Sequence, residues 1–333
     1  MTGRLGALAR LARLAVSLGL ASVVALGLLG HLVRDRSVAW GVLMYLPLVP
    51  FGLAAAAWDA VARGRALPRS RFALGAFGLL AAGLAAWPMV GGGPRGEVGS
   101  PGSDPGTEVS VLHWNVLWGA GKYSGTAWAK TRREILARGC DLVVLSESPP
   151  DPDLDLLVAD LGPGWARVQS ENEPGAAYRY KLVVFSRGAP RLVHREPIAD
   201  GSAAVFEADV RGKTVRLLVV DGPSSPFRSR TPMLDNVAVA LLRAKAAGAP
   251  IDVALGDFNS VSRSLGFDAI AEAGYALASR SSPGWRATFP SPLPLYDIDH
   301  VWVRDDRPGL QCELFTRFSS DHRGQVVRFT IPD

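Results

Sequence analysis

The sequence has few cysteines and lacks several common catalytic patterns. Only Cys140 and Cys312 occur in its 333 residues. Two cysteines cannot form a multi-bridge disulfide scaffold, and their spacing does not match that of zinc ligands. We predict two buried thiols and leave open a single bridge if this region lies outside the cytoplasm. The Gly-x-Ser-x-Gly turn of serine hydrolases is also missing.

Lysine is absent from the first 105 residues, and this affects how the net charge of +5 is interpreted. That segment has ten arginines against four acidic residues, a net charge of +6. Residues 106–333 have the remaining 26 basic and 27 acidic residues, a net charge of −1. A nucleic-acid-binding domain is usually basic, so this balance does not favour long nucleic acid as the partner. The arginines are instead placed for membrane lipids.

Charge is also missing from three long apolar runs near the N-terminus: Leu14–Gly30, Ser37–Trp58 and Phe72–Val90. About 20 apolar residues suffice to cross a bilayer. We therefore predict a membrane region over 1–90 with three transmembrane helices, at about 12–33, 37–58 and 72–90. The first run alone would also suit a signal peptide. The two runs that follow favour true spans, and helices of a soluble domain would show polar faces.

The arginine distribution predicts the orientation of this region. Three arginines precede the first run, and four lie between residues 63 and 71, against two between the first and second runs. Because cytoplasmic segments are enriched in Lys and Arg, the two richer segments are predicted to be cytoplasmic. Three spans then place the rest of the chain on the non-cytoplasmic side. Residues 91–106 are rich in Gly, Pro and Ser, which predicts a flexible linker to a domain at 107–333.

Short apolar segments alternate with helical ones from residue 107 onward, and we predict two helices, at 128–138 and 231–247. The predicted strands are Ser110–Val116, Leu142–Leu145, Leu182–Phe185, Ala203–Val210, Val215–Val220, Ile251–Leu255, Ile298–Val303 and Val326–Ile331. Hairpins mixed with crossovers indicate an α/β fold, a four-layer sandwich of two mixed β-sheets flanked by helices.

Polar residues cluster where these predicted strands begin or end. They are Asn115, Glu147, Asp257, Asn259, Asp299, Asp321 and His322. Strand ends at one edge of a sheet are common positions for functional sites. Carboxylate and amide oxygens suit Mg²⁺, and a histidine beside an aspartate suits proton transfer. This set of residues predicts hydrolysis of a phosphate ester.

Five segments in order resemble the endonuclease/exonuclease/phosphatase superfamily, over about residues 108–331. They are Val111–Val116, Asp141–Glu147, Gly256–Ser260, Asp297–Val301 and Ser320–His322. The superfamily includes pancreatic-type deoxyribonucleases, apurinic endonucleases, neutral sphingomyelinases and inositol-polyphosphate phosphatases. The resemblance implies the same four-layer fold and a metal-dependent phosphoric ester hydrolase.

The resemblance also implies a metal site. Glu147 would be the main ligand, Asn115 would support the metal and the phosphate, and Asp299 would complete the network. Mg²⁺ is the implied cofactor, with Mn²⁺ as a possible substitute.

Four further residues have implied roles in the chemistry. Asp257 would position or deprotonate the attacking water, and Asn259 would hold a phosphate oxygen. His322 would bind the phosphoryl group, oriented by Asp321.

Two segments depart from the family pattern. Asp221 stands where many members have histidine. We expect Asp221 to be ionised and paired with a second metal, Arg228 or Arg230, and we keep open that it only initiates a turn. Tyr178 and Arg179 stand where many members have small residues, and they either line a substrate groove or belong to a solvated loop.

The sequence therefore predicts a membrane-anchored, Mg²⁺-dependent phosphoesterase. Its substrate would be a phospholipid or its headgroup, or nucleic acid, which the domain charge disfavours. The alternative is a catalytically silent binding module on the same fold. The sequence leaves the oligomeric state open.

Overall fold

A computed structural model describes residues 2–62, 72–92, 107–120, 126–171 and 181–332 of the chain. The chain divides into two compact units. The first comprises residues 1–90 together with Ser225–Ser229, and the second comprises the remainder. The predicted Gly/Pro linker falls mostly outside the described residues.

The first unit is helical. Its helices are α1 (Thr2–Val33), α2 (Val38–Met44), α3 (Leu48–Val61) and α4 (Ala73–Ala86). Within the described residues, one helix is long and apolar enough to cross a membrane, Leu5–Val33 in α1. Only 17% of its most apolar window is buried, unlike the core helix of a soluble protein. Its length and composition suit either a membrane anchor or a signal sequence.

The prediction of three membrane-spanning helices is therefore not met. The second predicted span is divided into α2 and α3, which meet at an angle of 56°. Pro47 caps α3 and has no N–H to continue a helix from α2. The third predicted span forms only the 14 residues of α4, which Pro88 follows in a short 3-10 turn. If α2 and α3 count as one bent span, the described residues hold two candidates.

Small residues let α3 and α4 pack closely. A Cβ added at Gly52 would lie 2.2 Å from the Gly78 carbonyl oxygen, and one at Gly78 would lie 2.8 Å from Ala55 Cβ. Helices pack in this way through small residues when both are embedded in a bilayer.

The second unit contains the remaining elements, and the short strand β1 (Val90–Gly92) lies at the boundary between the two units in the chain. Its helices are α5 (Ala127–Arg138), α6 (Asp151–Leu161), α7 (Thr231–Ala246) and α8 (Gly266–Glu272). Its strands are β2 (Thr107–Asn115), β3 (Leu142–Ser146), β4 (Ala166–Glu171), β5 (Lys181–Ser186), β6 (Arg191–Glu196), β7 (Ser202–Val210), β8 (Lys213–Asp221), β9 (Val253–Asp257), β10 (Tyr275–Leu277), β11 (Pro283–Trp285), β12 (Asp299–Arg304), β13 (Gln311–Phe315) and β14 (Gly324–Ile331).

Two six-stranded mixed sheets form the centre of this unit. One has the order β13-β14-β2-β3-β5-β4, and the other has the order β10-β12-β9-β8-β7-β6. Each sheet contains one parallel pair, β2 with β3 and β8 with β9. The other pairs in the two sheets are antiparallel.

The apolar core lies in three layers. Val111, Val144, Leu217, Leu255 and Val301 belong to the layer between the two sheets. The opposite faces of the sheets are covered by α5 and α6 on one side and by α7 and α8 on the other. The predicted sandwich of two mixed sheets flanked by helices is confirmed.

The elements that the sequence analysis missed have weak apolar patterns or are short. The edge strand β6 exposes four of its six residues. Since its pairing to β7 is the only pairing it makes within its sheet, it shows no buried run to detect. Both cysteines are buried and free, as predicted for thiols without a bridge.

Candidate active site

Three aspartates form a row across adjacent strands. Asp221 at the end of β8 pairs in register with Asp257 at the end of β9, and Asp257 pairs with Asp299 at the start of β12. Each lies two positions along its strand from a residue of the layer between the sheets, so the three side chains share that face. All three are at most 2% exposed. The edge of one sheet therefore brings three carboxylates together.

The other sheet contributes the amide of Asn115 and three buried polar side chains, His113, Ser146 and Gln325, which we call the polar floor. Asn115 at the end of β2 donates from Nδ2 to Asp257 Oδ2 at 2.9 Å, and its own Oδ1 accepts from Leu117 N at 3.0 Å. Beneath it, His113 Nε2 lies 3.2 Å from Ser146 Oγ. Gln325, the register partner of His113, donates from Nε2 to the Asp299 carbonyl at 2.7 Å. These bonds join the two sheets at one edge.

His322 is held against the row of aspartates. Its Nδ1 donates to Asp299 Oδ2 at 2.8 Å, and its Nε2 lies 3.9 Å from Asp257 Oδ2. The ring of Phe289 covers it, with centroids 4.9 Å apart. Asp321, expected to orient His322, has its Oδ1 3.9 Å from Nε2 and is partly exposed. The side chain that orients the imidazole is Asp299.

The loop after β9 presents Asn259. Asp257 Oδ1 accepts from Asn259 N at 2.8 Å, and Asn259 Nδ2 donates to the Gly222 carbonyl at 2.9 Å. Arg230 is buried, and its Nε donates to the Asn259 carbonyl at 2.8 Å. The expected substrate-binding residue Arg230 therefore fixes the position of Asn259. Asn259 itself has a φ of 48°, a conformation that Asn adopts more readily than most residues.

Gly256 is required for the close approach of β8 and β9. Its φ is +149°, and an added Cβ would lie 1.8 Å from the Val220 carbonyl oxygen. Any side chain at this position would therefore push apart the two strands that end in Asp221 and Asp257.

Glu147 lies on a strained turn after β3. Its φ is 47°, and its carbonyl accepts from Trp118 N at 2.6 Å. A non-glycine residue in this region costs about 1–3 kcal/mol, and such strain is typical of functional sites. The turn leaves the Glu147 carboxyl half-buried among the charges of His322, Asp321 and Asp299.

Burial and crowding raise the pKa of most of these carboxyls. Burial and the neighbouring Asp299 raise the pKa of Asp257 to about 7. Burial and the Asp257 charge raise the pKa of Asp221 well above its ordinary value, and burial raises that of Glu147.

His322 and Asp299 shift in the opposite sense to their burial. Burial alone would lower the pKa of His322, but Asp299 and Asp257 raise it to about 10. Burial would raise the pKa of Asp299, but the imidazolium beside it holds that pKa below its ordinary value. His322 is therefore a cation at neutral pH, paired with an ionised Asp299.

The donor set fits a divalent cation. Asp257 and Asp299 each offer a carboxylate oxygen, and these oxygens and a ring nitrogen of His322 lie within 4.8 Å of one another in the part of the chain that the structure describes. The protonated imidazole itself has no lone pair for a metal, so the carboxylates are the ligands. Three buried carboxylate oxygens, Asp221 Oδ2, Asp299 Oδ1 and Asp321 Oδ1, accept no hydrogen bond from any residue that the structure describes. Unpaired buried carboxylates are costly, and hard oxygen donors of this kind suit Mg²⁺ or Mn²⁺.

One of the pairings predicted for Asp221 is not seen. Among the described residues Asp221 forms no ion pair with Arg228 or Arg230, and its pairing with a second metal stays a prediction. Arg228 is exposed and belongs to Ser225–Ser229 of the first unit. Tyr178 and Arg179 lie outside the described residues.

Sequence reasoning missed the polar floor of His113, Ser146 and Gln325. The signal was available, because each of these residues lies two positions along its strand from an apolar residue of the layer between the sheets. Phe289 belongs to the segment Thr288–Pro290, which also resembles the family, but the sequence did not show that its ring covers His322. His300 packs its ring against Phe258 and Phe267, and its Nε2 lies 2.7 Å from the Ser260 carbonyl. It therefore supports the loop that contains Asn259.

The chain belongs to the Endonuclease/Exonuclease/phosphatase family. The model of that family matches residues 112–322, which include the residues of the site described above. A search of curated proteins finds no match.

Solved structures share the fold of the second unit at low sequence identity. An endonuclease/exonuclease/phosphatase from Bacteroides vulgatus is 16% identical, with a TM-score of 0.54 over 68% of this chain and 99% of that one. The human Nocturnin catalytic domain with bound sulfate is 16% identical, with a TM-score of 0.50 over 67% and 94%. A mannosyl-6-phosphatase from Bacteroides thetaiotaomicron is 14% identical, with a TM-score of 0.52 over 67% and 100%.

Proposed function

We propose that this protein is a membrane-anchored phosphoesterase that requires a divalent cation. The observation that supports this most strongly is the arrangement of Asp257, Asp299 and His322, with Asn115 joining the second sheet to Asp257. Family membership makes phosphate-ester hydrolysis the matching reaction class. The substrate is then a phosphodiester or a phosphomonoester.

The residues for holding Mg²⁺ or Mn²⁺ are Glu147, Asn115 and Asp299, with Asp257 within reach. Once bound, the cation would neutralise charge on the phosphate and increase the acidity of a water. Glu147 is half-buried and Asp299 is fully buried, so both carboxylates lose hydration that the cation would replace.

His322 supplies the positive charge that faces the phosphoryl group. Because Nδ1 is committed to Asp299, Nε2 is the nitrogen free to donate to a phosphoryl oxygen. Its raised pKa keeps it protonated at neutral pH.

Asp257 is placed to take the proton of the attacking water. Its Oδ2 lies 3.9 Å from His322 Nε2, so a phosphate bound to His322 would lie beside it. A general base works best with a pKa near the operating pH, and in the cation-free protein burial and Asp299 raise the pKa of Asp257 to about 7. Asn259, fixed by Gly222 and Arg230, is placed beside Asp257 to hold a phosphate oxygen.

The substrate class follows from charge and anchoring. The second unit has no excess of basic residues, which disfavours long nucleic acid. Among proteins of similar fold, one acts on a mannosyl-6-phosphate and another binds sulfate, an analogue of phosphate. We favour a phospholipid or its headgroup over nucleic acid, and we leave the oligomeric state open.

Metal dependence is tested on the full chain in detergent with bis(p-nitrophenyl) phosphate and p-nitrophenyl phosphate. Excess chelator should abolish hydrolysis, and Mg²⁺ or Mn²⁺ should restore it. Glu147→Gln should lower turnover at saturating Mg²⁺ by at least about tenfold, because ligand-set changes commonly cost 10–100-fold. Glu272→Gln on the exposed face of α8 is the matched control and should be unaffected. Full activity in chelator would contradict the proposal.

We further propose that the N-terminus is cytoplasmic and the phosphoesterase unit lies on the other side of the membrane. One span gives the same orientation as three, whereas two spans would reverse it. A reporter active only outside the cytoplasm, fused after Asp333, should be active, and a cytoplasm-specific reporter at that position should be silent. The opposite pattern would contradict the proposed orientation.

A further inference from the structure

Exposed apolar side chains border the candidate active site. Phe318 is 89% exposed, Leu293 is 80% exposed and Trp118 is 39% exposed. Each lies on a loop that is bonded to a residue of the site. We call these three side chains the apolar rim.

Leu293 is at the tip of a loop with fixed ends. Ser291 N donates to the Asp321 carbonyl at 2.6 Å, and Leu295 N donates to the Phe289 carbonyl at 2.8 Å. Trp285 Nε1 donates to the Pro294 carbonyl at 2.7 Å. The loop is therefore held beside Asp321, with Leu293 directed to solvent.

Phe318 and Trp118 are held in the same way. Phe318 precedes the buried Ser319, and Ser320 Oγ donates to the Asn115 carbonyl at 2.7 Å. Trp118 N donates to the Glu147 carbonyl at 2.6 Å. Phe318 and Trp118 are thus placed by bonds to Asn115 and Glu147, two residues proposed to hold the cation.

Resting on the proposed function, we infer that the apolar rim docks on a zwitterionic phospholipid bilayer and that the substrate is a phospholipid of that bilayer. Rigidly held Phe, Leu and Trp side chains gain free energy when they enter the interface of a membrane. The near-neutral charge of residues 106–333 provides no attraction to an anionic surface, so the apolar contact decides the partner.

The proposed anchor brings the second unit to a bilayer. Sixteen residues, 91–106, lie between Val90 and Thr107 in the sequence, so a unit tethered to an anchored α1 meets that lipid surface at a high effective concentration.

The first test separates docking from chemistry. The full chain is reconstituted in phosphatidylcholine vesicles with Mg²⁺, and hydrolysis is measured on the vesicle phospholipid and on soluble bis(p-nitrophenyl) phosphate. The double variant Leu293→Ser/Phe318→Ser should lose about tenfold or more activity on the vesicle phospholipid and keep its activity on the soluble diester. The matched control Val239→Ser/Leu242→Ser, at exposed apolar positions of α7, should keep both activities.

The second test measures contact with the membrane by fluorescence and does not depend on hydrolysis. Cys140 and Cys312 are buried, so a cysteine introduced by Phe318→Cys can be labelled selectively with an environment-sensitive dye. In reconstituted protein its emission should shift to the blue and be quenched by lipid-borne quenchers, whereas a dye at Val239→Cys should show neither change.

The outcomes separate this inference from the proposed function. The docking inference alone would be overturned if chelation abolished both activities but the double variant Leu293→Ser/Phe318→Ser had no effect. The absence of quenching at position 318 would overturn it as well. Hydrolysis of the soluble diester but not of the vesicle phospholipid by the unmodified protein would overturn the phospholipid substrate. If the unmodified protein hydrolyses neither compound, the proposed function fails.

Discussion

His322→Ala should lower turnover by about a hundredfold to ten-thousandfold, the usual contribution of a positioned proton donor. The change removes a buried cation that Asp299 holds in one orientation through Nδ1. It also leaves Asp299 without the charge that keeps its pKa low, so the whole pair is lost. Steady-state hydrolysis of bis(p-nitrophenyl) phosphate at saturating Mg²⁺ measures the effect.

Asp257→Asn should cause a loss of similar size in the same assay, because an amide cannot accept the proton of water. The variant is nearly isosteric, so far-ultraviolet circular dichroism should be unchanged. Asp321→Asn is the informative comparison. Asp321 lies 3.9 Å from Nε2 and is partly exposed, so we expect its loss to be much smaller. Near-normal turnover in both His322→Ala and Asp257→Asn would favour the silent binding module instead.

The sequence was sufficient to predict which polar residues meet at one edge of the two sheets, but not how they pair. Asn115, Glu147, Asp257, Asp299 and His322 were recognisable because motifs of fixed composition end or begin apolar runs. Which aspartate orients His322 depends on the register of β9 with β12, which places Asp299 beside Asp257. Adjacency in sequence made Asp321 the apparent partner, since register between strands distant in sequence is not encoded locally.

The N-terminal helical unit shows a different limit of sequence reasoning. Absence of charge correctly marked the apolar segments, but hydropathy does not report whether one helix continues through a segment. Pro47 interrupts the second segment, and the helix of the third is only 14 residues long. Helix continuity depends on backbone N–H groups and on packing partners such as Gly52 and Gly78, which composition averages conceal.

Asp221 illustrates how a departure from a family pattern gains meaning only from its surroundings. The sequence suggested an arginine partner, yet Oδ2 of Asp221 accepts no hydrogen bond. The row that contains Asp257 and Asp299 makes it a third buried carboxyl instead of one member of an ion pair. Such an arrangement is unfavourable for folding unless protons or a cation neutralise it.

The stability of the cation-free protein should therefore fall as pH rises from about 4 to about 7. Folded Asp257 retains its proton up to a pKa of about 7, while the unfolded chain releases it near 3.8. The folded state binds more protons in this window, so the free energy of unfolding decreases with pH, by on the order of 4 kcal/mol for Asp257 alone. Glu147 and Asp221 act in the same direction because their pKa values are also raised.

The other members of the site do not reverse this sign. The contribution of His322 is complete below about pH 6.5 and is lost as pH rises toward its folded pKa of about 10. Asp299 has a lowered pKa, so its contribution is lost only at more acidic pH, below the window. The two residues therefore leave the decrease between pH 4 and 7 intact.

Asp221→Asn should make the cation-free protein more stable at pH 8 and reduce the difference between pH 5 and pH 8. It removes a buried carboxyl that must ionise without a partner and replaces it with a neutral group of the same shape. Thermal unfolding of the full chain in detergent with chelator, followed by tryptophan fluorescence, measures both quantities. The exposed Asp235→Asn on α7 is the control and should leave the pH dependence unchanged. Mg²⁺ should raise the melting temperature of the unmodified protein more at pH 8 than at pH 5, because a cation binds the ionised site of the folded state. Two results would show that Asp221 forms a structural contact and is not part of the charged row. One is a stability of the unmodified protein in chelator that is flat or rises with pH, and the other is an Asp221→Asn variant that is less stable at both pH values.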